Sequence, residues 1–221
     1  MDSWGTNVVS LSFAGRTNGD TYRVLAAYSN TVLTVTGQVV TVQSWGPPAI
    51  VTKTNETLTV PLTNGVPFDI ILDGPVQFQA NQPIQVAHFG NGNYFDYLTN
   101  SEGVVGECDP CEILLPPVGH WLETNIVVTL TNDLPNQVIG DFDENFLNLI
   151  VPQPATTNTV VDGQTVAATN FTAIGISGYY GAQIAVTNSG PHTVSSSQPV
   201  DVEAYGWGLQ DAYSYLGDIV K

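Results

Sequence analysis

The sequence predicts an all-β protein, built from two related antiparallel β-sandwich-like units that pack together. Three observations carry this prediction: short segments that alternate apolar and polar residues, turn residues between those segments, and a pattern that occurs twice. The composition agrees, because only 11% of the 221 residues are charged. The polar positions are filled mainly by Thr, Asn, Ser and Gln, which suit strands and turns better than helices.

The alternating segments have the length and spacing of half-buried antiparallel strands. The clearest of them cover residues 8–13, 31–36, 57–60 and 126–130. Each is bounded by Gly, Asn, Asp or Pro, and dipeptides such as Asn64-Gly65 and Asp73-Gly74 are typical of hairpin turns. Short strands at regular spacing favour a sandwich or a barrel.

One pattern occurs near the end of each half of the chain. It consists of Gln-Pro, an alternating strand, an aromatic residue and Gly-x-Gly, at residues 82–92 and again at 198–208. An offset of about 116 residues also relates Trp4 to Trp121, each of which precedes an alternating run. Two copies predict two similar packed units. We expect the first unit over residues 1–92, a loop-rich link over 93–119, and the second unit over 120–221.

The charge of the chain limits its partners. The net charge is −16, with 4 lysine and arginine residues in total. Such a surface repels nucleic acid phosphates and anionic membranes, so we expect neither as a partner.

No segment approaches the roughly 18 apolar residues of a membrane-spanning helix. No secretion signal precedes the first strand. Because we expect a domain excised from a larger protein, the missing signal says little about the location of that protein.

Short motifs follow one another in a fixed order along nearly the whole chain. They are Trp-Gly-Thr at 4–6, Gly-Asp-x-Tyr-Arg-Val at 19–24, Asn-Thr-x-Leu-x-Val at 30–35, Gln-Pro-Ile-x-Val at 82–86, Asp-Pro at 109–110, Leu-Leu-Pro-Pro at 114–117, Asp-Gly at 162–163, Tyr-Gly-x-Gly at 205–208 and Asp-x-Tyr-x-Tyr at 211–215. This order resembles the N-terminal domain of the IgGFc-binding protein family, a module also found in bacterial surface proteins. The resemblance implies an extracellular, mucus- or surface-associated binding module, and it places Trp207, Tyr213 and Tyr215 among the packing residues.

We therefore expect a recognition or adhesion module at the cell exterior, which binds a glycan or a protein on a host, prey or partner surface. The alternatives are a spacer domain in a fibre or stalk and a carbohydrate-active hydrolase. Twenty acidic residues make some carboxylate pair inevitable, so the sequence cannot support the hydrolase. Ser177 does not lie in the Gly-x-Ser-x-Gly turn of a serine hydrolase, and no phosphate-binding loop is present. We expect no enzyme activity; the oligomeric state stays open.

Aromatic residues are the candidate ligand-binding residues. Tyr94, Phe95 and Tyr97 lie in the predicted link, and Tyr179 and Tyr180 lie between glycines. Exposed aromatic rings on a rigid β scaffold can bind sugars or protein surfaces, because they offer a large contact area at small entropic cost. The alternative for the first three is that they cover the seam between the two units.

Cys108 and Cys111 form a Cys-x-x-Cys motif. A redox dithiol normally begins a helix, and Pro116-Pro117 would stop such a helix early. A zinc site needs further ligands, for which the three histidines show no spacing signature. We favour a local disulfide between the two cysteines, which would hold the turn in an oxidising compartment; reduced, inert thiols stay an alternative.

The densest group of oxygen ligands is formed by Asp141, Asp143 and Glu144. Calcium takes six to eight oxygen ligands, but this segment lacks the ligand spacing of an EF-hand loop. We expect no cofactor other than a possible calcium ion, and the alternative for this segment is a solvated turn before a strand.

Overall fold

The predicted all-β architecture is confirmed, since strands form two antiparallel sheets that pack together. The structure, a computed structural model, describes residues 3–98, 108–130 and 142–217. The first sheet contains β1 (Gly5–Leu11), β2 (Asp20–Ala26), β3 (Thr31–Ser44), β4 (Ile50–Leu62) and β5 (Phe68–Gly90); after a single helical turn, α1 (Asn93–Asp96), comes its strand β6 (Cys111–Leu115).

The second sheet follows in the chain. It contains β7 (Leu122–Thr129), β8 (Phe142–Pro152), β9 (Val160–Val161), β10 (Gln164–Thr165), β11 (Thr172–Ala173), β12 (Tyr179–Val186), β13 (Gly190–Gly208) and β14 (Asp211–Leu216). Short 3-10 helices lie at Gln153–Thr157 and Ala168–Asn170. β6 lies within the segment that the sequence assigned to the link. The unit boundaries themselves stay a prediction.

The repeat seen in the sequence has a counterpart in the strand pairing. The first copy of the Gln-Pro strand pattern lies in the last part of β5, and the second copy lies in the last part of β13. There His88 pairs with Tyr22 of β2, and Ala204, at the equivalent position, pairs with Leu147 of β8. β6 and β14 pair with the same two segments, and the earlier parts of β5 and β13 pair with β1 and β7. The two halves therefore share one pairing scheme.

The hairpin of β3 and β4 is where the halves differ most. β3 has 14 residues and β4 has 13, whereas β9, which pairs with β13 in the corresponding place, and its partner β10 have 2 each. β5 pairs with β3 only as far as Val39. Beyond that point Val40 to Ser44 pair with β4 alone, so the end of this hairpin extends past the rest of the sheet. This extension positions the site described below.

The seam between the halves is closed by aromatic and polar contacts. Tyr205 and Trp207 of β13 are buried in the core of the first half, against Phe13. The Trp207 indole N–H donates to the Ala14 carbonyl at 3.0 Å, and the Ala14 amide donates to the Tyr205 hydroxyl at 2.9 Å. A smaller apolar cluster around Trp121 lies between the two larger cores. The two halves are therefore packed as one body along this seam.

The Gly-x-Gly of each repeat has a packing reason. A Cβ added at Gly90 would lie 2.9 Å from the Cys111 sulfur of β6. A Cβ added at Gly206, the equivalent position, would lie 2.5 Å from the Tyr213 ring of β14. In both halves the neighbouring strand carries a side chain across the glycine, so only glycine leaves room for it.

Gly206→Ala is expected to destabilise the protein by about 1–3 kcal/mol, the usual cost of overpacking a core. The added methyl group would also lie 2.9 Å from the Glu144 carbonyl oxygen, which is backbone and cannot rotate away. Denaturant unfolding measures the change. Gly46→Ala is the matched control, because its nearest new contact would be 3.7 Å away. Equal losses in both variants would contradict the packing reason.

Candidate functional site

An aromatic pocket lies between the end of the β3–β4 hairpin and the turn after β5. Its volume is about 330 Å³, and it is lined by Trp45, Gly46, Ala49, Asn91, Gly92, Asn93, Tyr94 and Phe95. Trp45 is 75% exposed and Tyr94 is 65% exposed. The rings of Trp45 and Phe95 lie 5.9 Å apart at 43°. Large exposed rings next to a concavity are typical of ligand-binding surfaces.

One backbone hydrogen bond and two from the Asn18 side chain hold the two sides of this pocket together. The Phe95 carbonyl in α1 accepts from the Ala49 amide at 3.1 Å and from the Asn18 side-chain amide at 2.7 Å. The same Asn18 amide group donates to the Ala49 carbonyl at 3.2 Å. The hairpin end and α1 are thus tied to each other and to the loop before β2. These bonds fix the positions of the pocket walls relative to one another.

The buried carboxylate of Asp96 anchors α1 to the loop before β2. One oxygen of Asp96 accepts from the Thr17 amide at 3.1 Å, from the Thr17 hydroxyl at 3.0 Å and from the Asn18 amide. The other oxygen lies 2.6 Å from Arg16 Nη2, as an ion pair without hydrogen-bond alignment. Both side chains are fully buried. Because an unpaired charge cannot stay buried cheaply, this pair fixes where α1 lies.

Arg16 connects the pocket to the seam. Its guanidinium lies 3.7 Å from Asp20 and 5.9 Å from the centre of the Trp207 ring, and its Nη1 donates to the Cys108 sulfur at 3.0 Å. Asp20 in turn contacts His88 Nε2 at 3.0 Å. These groups come from segments far apart in the chain, so one buried polar network supports both the pocket and the contact between the halves.

Two buried acids lie further along the seam. Burial raises the pKa of Asp201 and the pKa of Glu203, each to about 7. For Glu203 the nearby Asp201 charge adds to this rise, and the His88 charge opposes it. The Glu203 carboxylate accepts from the Asn148 amide at 3.0 Å and from the Ser10 hydroxyl at 3.4 Å. Asp201 is 3% exposed and Glu203 is 0% exposed, so neither carboxyl group faces solvent where a hydrolase would meet its substrate.

One histidine has the partners of a hydrolase triad. His192 Nε2 lies 2.9 Å from the Thr129 hydroxyl, and its Nδ1 lies 2.7 Å from Asp162. The Thr129 hydroxyl is buried and donates to the Asn188 carbonyl at 3.0 Å. A nucleophile has to face a substrate, whereas Thr129 is buried. The arrangement therefore ties β7 and β13 to the turn between β9 and β10.

Two larger clefts, of about 460 and 490 Å³, follow the seam and share Asp73, Gly74 and Pro75. Their other lining residues are mostly small or polar, and the one aromatic residue among them, Phe13, is buried. They lack the exposed ring faces of the aromatic pocket, which is therefore the better candidate for ligand recognition.

The cysteines are placed at the edge of the buried network. Both thiols are free, so the disulfide predicted for Cys108 and Cys111 is not confirmed and stays a prediction. Burial raises the pKa of Cys108 to about 12 and the pKa of Cys111 to about 11. Thiols with such pKa values are poor nucleophiles at neutral pH, which argues against a redox role for the free pair.

The calcium prediction falls partly outside the described residues. Asp141 and the side chain of Asp143 lie outside them, and Glu144 is exposed. In the described ranges, no group of three or more His, Cys, Asp or Glu side chains is arranged to hold a metal ion. The calcium site therefore stays a prediction.

The predicted aromatic residues divide into two groups. Tyr94 and Phe95 line the pocket, and Tyr97, which is 46% exposed, follows α1 in a left-handed conformation without lining it. Tyr179 packs edge-on against Trp121 with ring centres 5.2 Å apart, and Tyr180 packs against the core of the second half. The structure does not bring these two tyrosines to the pocket, so their ligand-binding role stays a prediction.

Two residues of the site were missed in the sequence. Trp45 is the most exposed ring of the pocket, and its signal was a tryptophan within the turn sequence Ser-Trp-Gly-Pro-Pro at 44–48. No sequence signal identified Asp96, which stands within the aromatic run of the predicted link. Trp207 is buried as expected, while Tyr213 and Tyr215 are half-buried and reach the end of β7 with their hydroxyl groups.

Comparison with known proteins gives one match. A family model described as IgGFc binding protein matches residues 1–206. No curated protein and no solved structure matches the chain significantly. In the part of the chain that the structure describes, no helix is long and apolar enough to cross a membrane.

Proposed function

Because the chain belongs to the IgGFc-binding protein family, we propose that it is an extracellular recognition module, whose ligand binds at the aromatic pocket. Adhesion to a host, prey or partner surface is the biological role that this proposal implies. The family name supports a binding rather than a catalytic task, and the net charge of −16 makes nucleic acids and anionic membranes unsuitable partners.

The observation that carries the proposal is the exposure of Trp45 in a rigid setting. A tryptophan that is 75% exposed costs solubility, and a chain keeps it most readily where it contacts a ligand. The Asn18 hydrogen bonds and the Asp96 ion pair hold the surrounding loops, so little conformational entropy is lost on binding.

A binding panel tests this function. The complete chain is applied to arrays of immobilised glycans and extracellular proteins, including antibody Fc, together with Trp45→Ala and Tyr28→Ala. Tyr28 is 56% exposed and lines neither the aromatic pocket nor the two larger clefts described above, so it controls for the loss of an exposed ring. We expect at least one ligand class to bind, with an affinity about tenfold weaker in Trp45→Ala and unchanged in Tyr28→Ala.

Two results would count against the function. Silence of the wild-type chain across both arrays would favour a spacer domain. Equal binding by all three proteins would place the ligand elsewhere on the surface.

A further inference from the structure

We propose that the aromatic pocket binds one uncharged pyranose residue of a glycan, with the Trp45 ring as the stacking face. This inference rests on the proposed function and adds the chemical class of the ligand.

The lining of the pocket matches both surfaces of a sugar. A pyranose ring has an apolar face of C–H groups and an edge of hydroxyl groups. The faces of Trp45, Tyr94 and Phe95 offer electron-rich apolar area, on which C–H groups pack favourably. The Asn93 amide and the Tyr94 hydroxyl form no side-chain hydrogen bond within the described residues. They are therefore available to sugar hydroxyl groups as donors and acceptors.

Asn91 also lines the pocket, but its side chain is already hydrogen-bonded within the protein. Its side-chain amide donates to the Gly19 carbonyl at 3.1 Å, and its carbonyl accepts from the Thr21 hydroxyl at 2.8 Å. Because these bonds fix the Asn91 side chain, it forms a firm wall of the pocket. It is a positioning residue for the site, whereas Asn93 is a contact residue.

The charge around the pocket favours a neutral ligand. Among the described residues that line it there is no Asp, Glu, Lys or Arg, so these residues offer no counter-ion to an anionic or a cationic group. The net charge of −16 disfavours anionic sugars at any part of the surface. Aromatic rings do attract cations, but a desolvated ammonium group binds best where a carboxylate is also near.

The size of the pocket favours a small unit over a protein surface. A volume of about 330 Å³ lies at the lower end for small-molecule sites, which run from about 300 to 1,000 Å³. A stable protein interface covers about 800 Å² on each partner, far more than this pocket offers. One sugar residue fits within it, and the rest of the glycan chain would extend into solvent.

Titration of the complete chain with free sugars tests the proposal. The probes are neutral mono- and disaccharides of glucose, galactose, mannose and N-acetylglucosamine, with sialyllactose and choline as charged comparisons. Saturation-transfer NMR reports which ligand protons touch aromatic rings. We expect at least one neutral sugar to bind with a Kd in the millimolar range and to show its strongest signal from C–H protons on one ring face.

Variants locate the contact. Trp45→Ala is expected to weaken the sugar affinity by about tenfold or more, Trp45→Phe to restore most of it, and Asn93→Ala to weaken it by a few-fold. Tyr28→Ala is expected to leave it unchanged. Circular dichroism of each variant confirms that the fold is retained.

The outcomes separate this inference from the proposed function. Binding of choline in place of every sugar, or sugar binding that survives in Trp45→Ala, would overturn the sugar site. A protein ligand that depends on Trp45, with no sugar bound at high concentration, would overturn the sugar site and leave the recognition function standing. The absence of any ligand in both experiments would overturn both.

Discussion

Asp96→Asn is expected to lower the free energy of unfolding by about 3–5 kcal/mol, because it leaves a buried guanidinium without its main counter-charge. Arg16 Nη2 lies 2.6 Å from the Asp96 carboxylate, with both side chains fully buried, whereas Asp20 is 3.7 Å from the guanidinium. The amide that replaces the carboxylate keeps one acceptor for Thr17 but carries no charge. Equilibrium unfolding in a chemical denaturant at pH 7 measures the change in the free energy of unfolding.

A second ion pair provides the matched control. Arg23 and Asp69 form two hydrogen bonds, at 2.8 and 2.7 Å, but their side chains are 47% and 44% exposed. Solvent screens such a pair, so Asp69→Asn is expected to cost only about 0.2–1 kcal/mol. Similar losses in the two variants would show that the burial of the Arg16–Asp96 pair does not matter.

The strand pattern of this chain could be predicted from the sequence, because it depends on local features. Alternation and turn residues identified the strands around 8–13, 31–36 and 126–130, and the repeated Gly-x-Gly identified two equivalent segments. The physical reason for the repeated glycine became visible only in the structure, since Cys111 and Tyr213 cross Gly90 and Gly206 from neighbouring strands.

The site was only partly predictable, because it depends on contacts between distant segments. Tyr94 and Phe95 were expected on an exposing loop and lie instead in the helical turn α1, and their partner Trp45 comes from a hairpin about 50 residues earlier. No sequence pattern identified Arg16 and Asp96 as a buried pair. Their meeting in the interior follows from the packing of the loop before β2 against α1, which no local pattern records.

The acids of β13 show a second limit of pattern reading. In a strand with one face in water, Asp201 and Glu203 would belong to the solvated face. β13 instead lies between the two halves, and every residue from Val200 to Gly208 is buried. Alternation in the sequence marks a strand, but it does not tell whether a second sheet covers the polar face.

This burial makes the stability depend on pH in an unusual direction. Carboxyl groups of an unfolded chain have pKa values near 4, whereas burial raises the pKa of Asp201 and of Glu203 to about 7 in the folded protein. Between these values the folded state holds more protons than the unfolded state. The free energy of unfolding is therefore expected to fall as the pH rises from about 5 to 7, by about 1.4 kcal/mol per pH unit for each proton retained.

The double variant Asp201→Asn with Glu203→Gln is expected to remove most of this slope and to be more stable than the wild type at pH 8. The amides resemble the protonated acids, and the oxygen of Gln can still accept from Asn148. Unfolding curves at half-unit steps from pH 5 to pH 8 measure the slope. Glu56→Gln, which changes an exposed carboxyl group of β4, should keep the wild-type slope.

A wild-type stability that stays constant or rises over this interval would show that the two acids are already ionised in the folded seam. The buried polar network would then hold two further negative charges. Arg16 and His88, which contact Asp20 in this network, would have to balance them.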